Sequence, residues 1–370
     1  MRAEWTAEFP LRPGLVMFNH ASYGLATRDL LDRAEQIRRE LESDPNVNLG
    51  EALQERLGEV VLQVAAELGV AAEGCALTTS ATAGAAALQR SLPLRAGEIV
   101  VTLDCEYSSV LRGWRRRCTQ AGAQLRVVPV GLPLTDIDAL LERMSRVGGD
   151  RVAVLQFSAI TSSAALRLPI ARLAAWGHDR GATVIVDAAH APGQVDVAGW
   201  EGVDAAFGTV HKWFPVPRSV GVLWATPELA PIIRPAETSL TYDDGNLARR
   251  FGWPGTFDPA ARLCLPEAIA RWSKWVAAGE IQRCERLADY ASQTLTAAGA
   301  IPTSSEEMLP PRMRAFLLPN LPIAQLRQRL LDAGLRAWSG DHDGQSSLLR
   351  LATHVYNDED DVDAVAQALR

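Results

Sequence analysis

Of the 37 basic residues in this chain of 370, only two are lysines, Lys212 and Lys274, and the other 35 are arginines. Either type can supply surface charge, so each surviving lysine is a candidate for a position where a guanidinium cannot stand in for an amine. Lys212 lies in the run Gly208, Thr209, Val210, His211, Lys212, Trp213, directly after the apolar stretch Ala205 to Phe207. Such a setting favours the neutral, nucleophilic form of the amine. Upstream, the strand-like run Thr183 to Val186 delivers Asp187 and then His190 in the segment VDAAHAPG. A carboxylate leaving a buried strand needs a partner, which is a cationic hydrogen-bond donor, a helix cap or an arginine. Lys274, in RWSKW on a helical stretch, has neither an acid nor a small-residue turn beside it and reads as a solvated helix face.

Other strand ends carry chemistry too. After Cys75 to Thr79 come Ser80, Ala81, Thr82, Ala83 and Gly84, a small-residue turn opening a helix. Its free N–H groups and the helix dipole suit a phosphate, although an ordinary N-cap has the same composition. After Ile99 to Leu103 come Asp104, Cys105, Glu106 and Tyr107, which place at a strand end an aromatic ring that taken alone reads as packing. In open parallel sheets, ligands sit beyond the carboxyl ends of the strands, so these segments read together as one site. An amine for a Schiff base, an acid for a pyridine nitrogen, an anion seat and a stacking ring are the requirements of pyridoxal 5'-phosphate.

The elements that must position these residues alternate. Strand-like runs at Cys75 to Thr79, Ile99 to Leu103, Leu125 to Val130, Val152 to Phe157, Thr183 to Val186, Ala205 to Phe207 and Val220 to Ala225 are mostly separated by helical periodicity, as in Val110 to Ala121, Ile137 to Ser145 and Ile170 to Arg180. That alternation predicts an α/β fold, a mostly parallel sheet covered by helices on both faces. The chain beyond changes character: long helical stretches at Pro259 to Ala278 and Ile281 to Ala298, strands at Met313 to Leu318 and Ser347 to Ala352, and helices at Ala324 to Ala333 and Asp360 to Leu369. The expected organisation is an irregular arm over 1–24, a large α/β domain over 25–245 and a smaller C-terminal α+β domain over 246–370. The span Tyr242 to Leu247 reads as a mobile lid or a plain loop.

Several motifs together resemble the class V aminotransferase family of fold-type I pyridoxal phosphate enzymes, and within it the isopenicillin N epimerase-like branch related to cysteine desulfurases and cysteine-conjugate lyases. They are FNHASYG (18–24), TTSATAG (78–84), EYSSVLRGW (106–114), TSSAALRLPI (161–170), VDAAHAPG, HKW, PGTFDP (254–259) and RLATHVYNDEDDVD (350–363). VDAAHAPG followed by HKW is the specific pair. The resemblance implies that Lys212 forms the Schiff base with the cofactor and moves the α-proton, that Asp187 pairs with the pyridinium, and that His190 lies by the phenolic or a phosphate oxygen. It implies that Tyr107 stacks on the ring, and that Ala81, Thr82, Thr209, His211 and Thr256 hold the phosphate. Thr256 would reach the neighbouring subunit's cofactor, which makes the expected unit a homodimer with shared active sites. Arg350 would clamp the substrate carboxylate as a bidentate fork, with Ser22 nearby.

The sequence departs from the desulfurase pattern. The loop before Arg350, WSGDHDGQSSLLR (338–350), carries no cysteine, so persulfide chemistry there is not expected, and TSS (161–163) replaces a desulfurase-like asparagine. The expected reaction is β-elimination, a C–S lyase acting on a cysteine S-conjugate, with epimerisation or transamination of a small or peptide-like amino acid as the alternative. A pyridoxal phosphate-binding sensor without turnover is the reading from another class, disfavoured because such regulators usually carry a DNA-binding helix-turn-helix. A nucleotide-binding Rossmann domain lacks its GxGxxG and leaves Lys212 unexplained.

The formal net charge of −7 supplies no basic field for nucleic acid. The five cysteines, 75, 105, 118, 264 and 284, are scattered, with no CxxC or Cys/His metal spacing, which fits a reduced cytoplasm and no structural zinc. No apolar run spans a bilayer, and the acidic start at Glu4 and Glu8 is unlike a signal peptide. Of the other histidines, His20 reads either as a loop residue or as a site residue, and His178 and His342 read as solvated. The arginine-rich, lysine-poor composition suits a high-GC bacterium with specialised metabolism such as antibiotic biosynthesis.

Overall fold

The structure is a computed structural model that describes Trp5 and residues 7–370; the portion of the expected arm at residues 1–4 and 6 lies outside the described residues. The arm is more regular than its sequence suggested. It forms strand β1 (Val16–Met17) and a single helical turn α1 (His20–Tyr23) before Gly24. Amphipathic helices α2 (Arg28–Ser43) and α3 (Glu51–Leu68) follow. In α2 the buried positions Leu30, Ala34, Ile37 and Leu41 fall on one stripe, as a surface helix over a core requires.

The principal sheet contains β2 (Cys75–Thr78), β3 (Ile99–Leu103), β4 (Gln124–Val128), β5 (Val154–Ser158), β6 (Thr183–Ala188), β7 (Ala205–Thr209) and β8 (Gly221–Ala225) in the order β2-β8-β7-β6-β5-β3-β4. Five strands, β4, β3, β5, β6 and β7, form the parallel block, and β8 is antiparallel to both its neighbours, β2 and β7. The carboxyl ends of β2, β3, β5, β6 and β7 therefore share one edge with the start of β8. Every residue of β5, β7 and β8 is buried, which explains why these runs carry no polar alternation. Crossover helices α4 (Ala81–Ser91), α5 (Ser108–Ala121), α6 (Ile137–Gly148) and α7 (Ile170–His178) cover the faces. The mostly parallel α/β sheet expected from the alternation is the one found.

Beyond β8, helix α8 (Leu247–Gly252) packs on β2 and α3. The single helix expected over Pro259 to Ala278 is two: a turn at Ala260–Leu263, then α9 (Leu265–Ala277), restarted at Cys264 with Pro266 in its first turn, a position where the missing N–H costs little. Helix α10 (Glu280–Ala297) leads into a four-stranded antiparallel sheet, β12-β13-β10-β9, of β9 (Ile301–Pro302), β10 (Met313–Leu318), β12 (Trp338–Asp341) and β13 (Ser347–Ala352), with helices α11 (Ile323–Asp332) and α12 (Glu359–Leu369). The short β11 (Leu335–Arg336) pairs in parallel with β1. An Asp358/Asp361 capping box starts α12. No helix among the described residues is long and apolar enough to cross a membrane.

The arm is stitched to the small sheet: the Ala352 N–H donates to Phe18 O at 2.9 Å, and Asn357 Nδ2 donates to Met17 O at 3.1 Å. It then passes against the turn that carries Lys212. Gly24 adopts φ 65°, ψ 176°, a region closed to residues with a β-carbon, and a β-carbon there would overlap the backbone carbonyl of His211. Gly24→Ala is expected to destabilise the protein by about 2 kcal/mol or more from backbone strain alone. Chemical unfolding of the variant reads this directly, and an unchanged midpoint would show that the arm does not seat where described.

Candidate active site

The shared strand edge opens into a cavity of about 350 Å3, at the small end of the range for small-molecule sites. Its lining includes Ser22, Ala81, Thr82, Tyr107, Asp187, His190, Thr209, His211 and Lys212. Nine of the eleven candidate residues thus meet in one place. The other two are Arg350, which reaches the rim through Ser22, and Thr256, which is exposed in the turn before α9 and does not line the cavity.

Each lining residue is held by a local reason. At the start of α4 the Ser80 hydroxyl accepts from the Ala83 N–H at 3.1 Å, the N-cap that the sequence allowed, and the same turn lines the cavity. Thr209 is the last residue of β7, two residues beyond the run read from sequence, and its hydroxyl donates to Ala189 O at 3.0 Å. His211 is fixed by its Nδ1, which lies 2.7 Å from the Val220 carbonyl and 3.1 Å from the Val220 N–H. Burial lowers the His211 imidazole to about 4.

Asp187 and Lys212 form the electrostatic centre. The Ala189 N–H donates to Asp187 Oδ1 at 2.8 Å, and burial pushes the carboxyl up to about 6 against that bond and the charge of Lys212. Lys212 Nζ lies 3.3 Å from His190 Nε2. Burial brings the amine down to about 8, with Asp187 pulling it up and Arg350 pushing it further down. His190 is driven well below its ordinary value by burial and then by the charges of Lys212 and Arg350, so it stays neutral. Its Nδ1 is buried with no hydrogen-bond partner. The free amine fraction of Lys212 rises as pH passes through its pKa. Acylation of Lys212 in the cofactor-free protein, followed by peptide mapping against pH, is therefore expected to show a midpoint near 8; a midpoint near the ordinary 10.5 would refute the burial argument.

Arg350, on β13, crosses to two other segments. Nη2 donates to Ser22 Oγ at 2.8 Å and Asn19 Oδ1 at 3.1 Å, and Nη1 donates to the Ser162 carbonyl and, at 3.5 Å, to Ser162 Oγ. Its Nε has no partner, and the guanidinium lies 5.4 Å from the Trp338 ring centroid. Burial lowers it to about 9. All its acceptors are neutral, so a buried cation faces the rim with no carboxylate partner among the described residues.

Of the remaining histidines and Lys274, only His20 departs from its sequence reading; His178, His342 and Lys274 are exposed, as expected. His20 is a buried residue rather than a capped loop residue: it stacks on His354 at 3.8 Å, and its Nδ1 lies 2.9 Å from the Tyr356 hydroxyl. His178 pairs with Asp204 at 3.2 Å. His342 and Lys274 are exposed and away from the cavity. The span Tyr242 to Leu247 is tied down by Arg250, whose guanidinium donates to the carbonyls of Asp244 and Gly245.

The lining also holds residues that sequence reasoning did not single out, among them Tyr23, Ser158, Ser219 and Trp338. Ser158 ends β5 and is reachable by the same strand-end rule that found Asp187. Trp338 sits on β12, a four-residue edge strand of partly exposed residues that leaves no periodic signal.

A family model described as aminotransferase class-V matches residues 28–365. Isopenicillin N epimerase of Amycolatopsis lactamdurans is 30% identical, covering 97% of this chain and 96% of the relative. A putative L-cysteine desulfhydrase 1 of Oryza sativa subsp. japonica is 29% identical, covering 69% of this chain and 57% of its own length. Among solved structures, the cystine C–S lyase C-DES in complex with its reaction product cysteine persulfide has a TM-score of 0.85 at 18% identity, covering 98% of this chain and 99% of that one. At that identity the likeness speaks for the fold.

Proposed function

Because the chain belongs to the class V aminotransferase family, with pyridoxal 5'-phosphate as its cofactor, we propose that it takes the α-proton of a cysteine S-conjugate and expels the sulfur substituent as a thiol, a β-elimination whose released imine is hydrolysed by one water to pyruvate and ammonia. The observation that carries this reading is the lining of the cavity: one amine, Lys212, and no cysteine among its described residues. Sulfur released there has no protein thiol to accept it and leaves free.

The residues present fit the cofactor. A buried amine and a buried carboxylate share one cavity with a capped helix N-terminus, and an imidazole nitrogen, Nδ1 of His190, lacks any protein partner. Bound pyridoxal phosphate supplies the electron sink that makes the α-proton of an amino acid removable. In this reading Lys212 holds the cofactor and moves the proton, Asp187 faces the ring nitrogen, His190 serves an oxygen of the cofactor, and Tyr107 covers the ring. Ala81, Thr82, Thr209 and His211 hold the phosphate. Arg350, steadied by Ser22, takes the substrate carboxylate. Thr256, apart from its own chain's cavity, serves that of a second copy, so the working unit is a homodimer.

A second reading, epimerisation, is favoured by the breadth of the match to isopenicillin N epimerase, 97% of this chain against 69% for the desulfhydrase. Turnover in deuterated water separates them. Elimination predicts pyruvate and thiol in equal amounts; an inverted, α-deuterated amino acid with no thiol would sink the lyase and support the epimerase.

A further inference from the structure

One buried carboxylate next to this site has no part in the reading above. Glu106, in the turn after β3, accepts three hydrogen bonds: from Gln156 Nε2 at 2.9 Å, from the Ser158 N–H at 2.9 Å and from Ser158 Oγ at 2.7 Å. The direction of this network is fixed from behind, because Thr102 Oγ1 donates to Gln156 Oε1 at 3.3 Å and so turns the Gln156 amide N–H groups toward Glu106. Three donors and no acceptor favour the ionised form. The groups that act on Glu106 lie on successive strands. Ser158 stands opposite Asp187 in the β5–β6 register, and the charge of Asp187 raises Glu106. Lys212 lies beyond β7 and compensates Asp187 directly, while Asp104 and Cys105 flank Glu106 in its own turn.

Two buried carboxylates, Asp187 and Glu106, lie beside a single lysine, which leaves one negative charge for a second cation, the protonated ring nitrogen of the cofactor. The geometry points to Glu106 as a positioning residue that acts through Ser158 and Asp187: its negative charge backs Asp187 and keeps a proton on the cofactor's ring nitrogen. This rests on the placement of Asp187 against that nitrogen in the proposed function. Burial and the charge of Asp187, opposed by the Ser158 and Gln156 bonds, bring Glu106 up to about 7, so its charge is partial near neutral pH, full well above it and lost below it. The ring proton is therefore held by two carboxylates under basic conditions, where it is most easily lost.

The test reads the ring nitrogen itself. Holoenzyme reconstituted with cofactor labelled with 15N in the ring is titrated with base by NMR. Wild type is expected to hold the proton into the basic range, and Glu106→Gln is expected to lose it at a pH lower by about one unit, a tenfold change in the equilibrium. Glu106→Ala removes the same charge and carries the test if the Gln variant fails to fold. A titration curve of either folded variant that superimposes on wild type would overturn the role. A wild-type ring nitrogen that is unprotonated throughout, or insensitive to Asp187→Asn, would instead overturn the placement of Asp187 on which the role depends.

Discussion

Lys212→Ala is expected to lower turnover of the preferred amino acid by about 10^4-fold, the upper end of what one positioned proton-transfer group contributes, because the same amine is asked both to anchor the cofactor and to move the α-proton. The structure offers no substitute. His190, 3.3 Å away, is the nearest titratable partner, but burial and the charges around it hold it neutral. The variant also leaves Asp187 without its compensating cation, so its carboxyl is expected to rise further, which weakens the hold on the ring nitrogen as well. Steady-state rates with excess cofactor check this. Residual activity within tenfold of wild type would mean that another group moves the proton. The fold itself is expected to survive, since Lys212 makes no ion pair in the described structure.

The second large effect belongs to Arg350. Its guanidinium is buried, its acceptors are the neutral oxygens of Asn19, Ser22 and Ser162, and it faces the rim of the cavity. A substrate carboxylate arriving there forms a desolvated charge pair, and truncating one partner of such a pair costs about 2–5 kcal/mol. Arg350→Ala is therefore expected to raise KM by at least about 30-fold, with a smaller change in kcat, because the carboxylate contact is present in both ground and transition states. The same side chain joins the arm, the small sheet and the turn after β5, so some loss of stability is expected alongside. Arg350→Lys separates the two: it keeps the charge but not the fork, and its KM is expected to fall between those of wild type and the alanine variant. An unchanged KM in a folded Arg350→Ala protein would remove Arg350 from substrate binding.

Much of this was legible because strand ends are legible. The apolar runs that become β2, β3, β6 and β7 are short and continuous, so the residues following them, Ala81, Tyr107, Asp187 and Lys212, could be assigned to one edge before any coordinates. Arginine usage made Lys212 stand out from a background with one other lysine. What the sequence concealed is long-range pairing. Nothing near Trp338 announces that WSGD becomes an edge strand hydrogen-bonded to β13, and nothing near His20 announces a stacking partner 334 residues away at His354. The arm looked irregular because its order comes from partners elsewhere, Arg336 and Ala352, and from a glycine that lets it pass the His211 carbonyl. Glu106 was visible in the motif, but its role depends on three donors, two of them from Ser158, whose approach only the β3–β5–β6 register defines.

With only two lysines in the chain, Lys212 and Lys274, the residue that carries the cofactor is a choice between two. Borohydride reduction of the holoenzyme fixes pyridoxal phosphate to whichever lysine holds it, and peptide mass mapping then locates the label. The added mass is expected on the peptide that contains Lys212, with none on the peptide that contains Lys274. Label on Lys274, or on neither lysine of a protein saturated with cofactor, would contradict it.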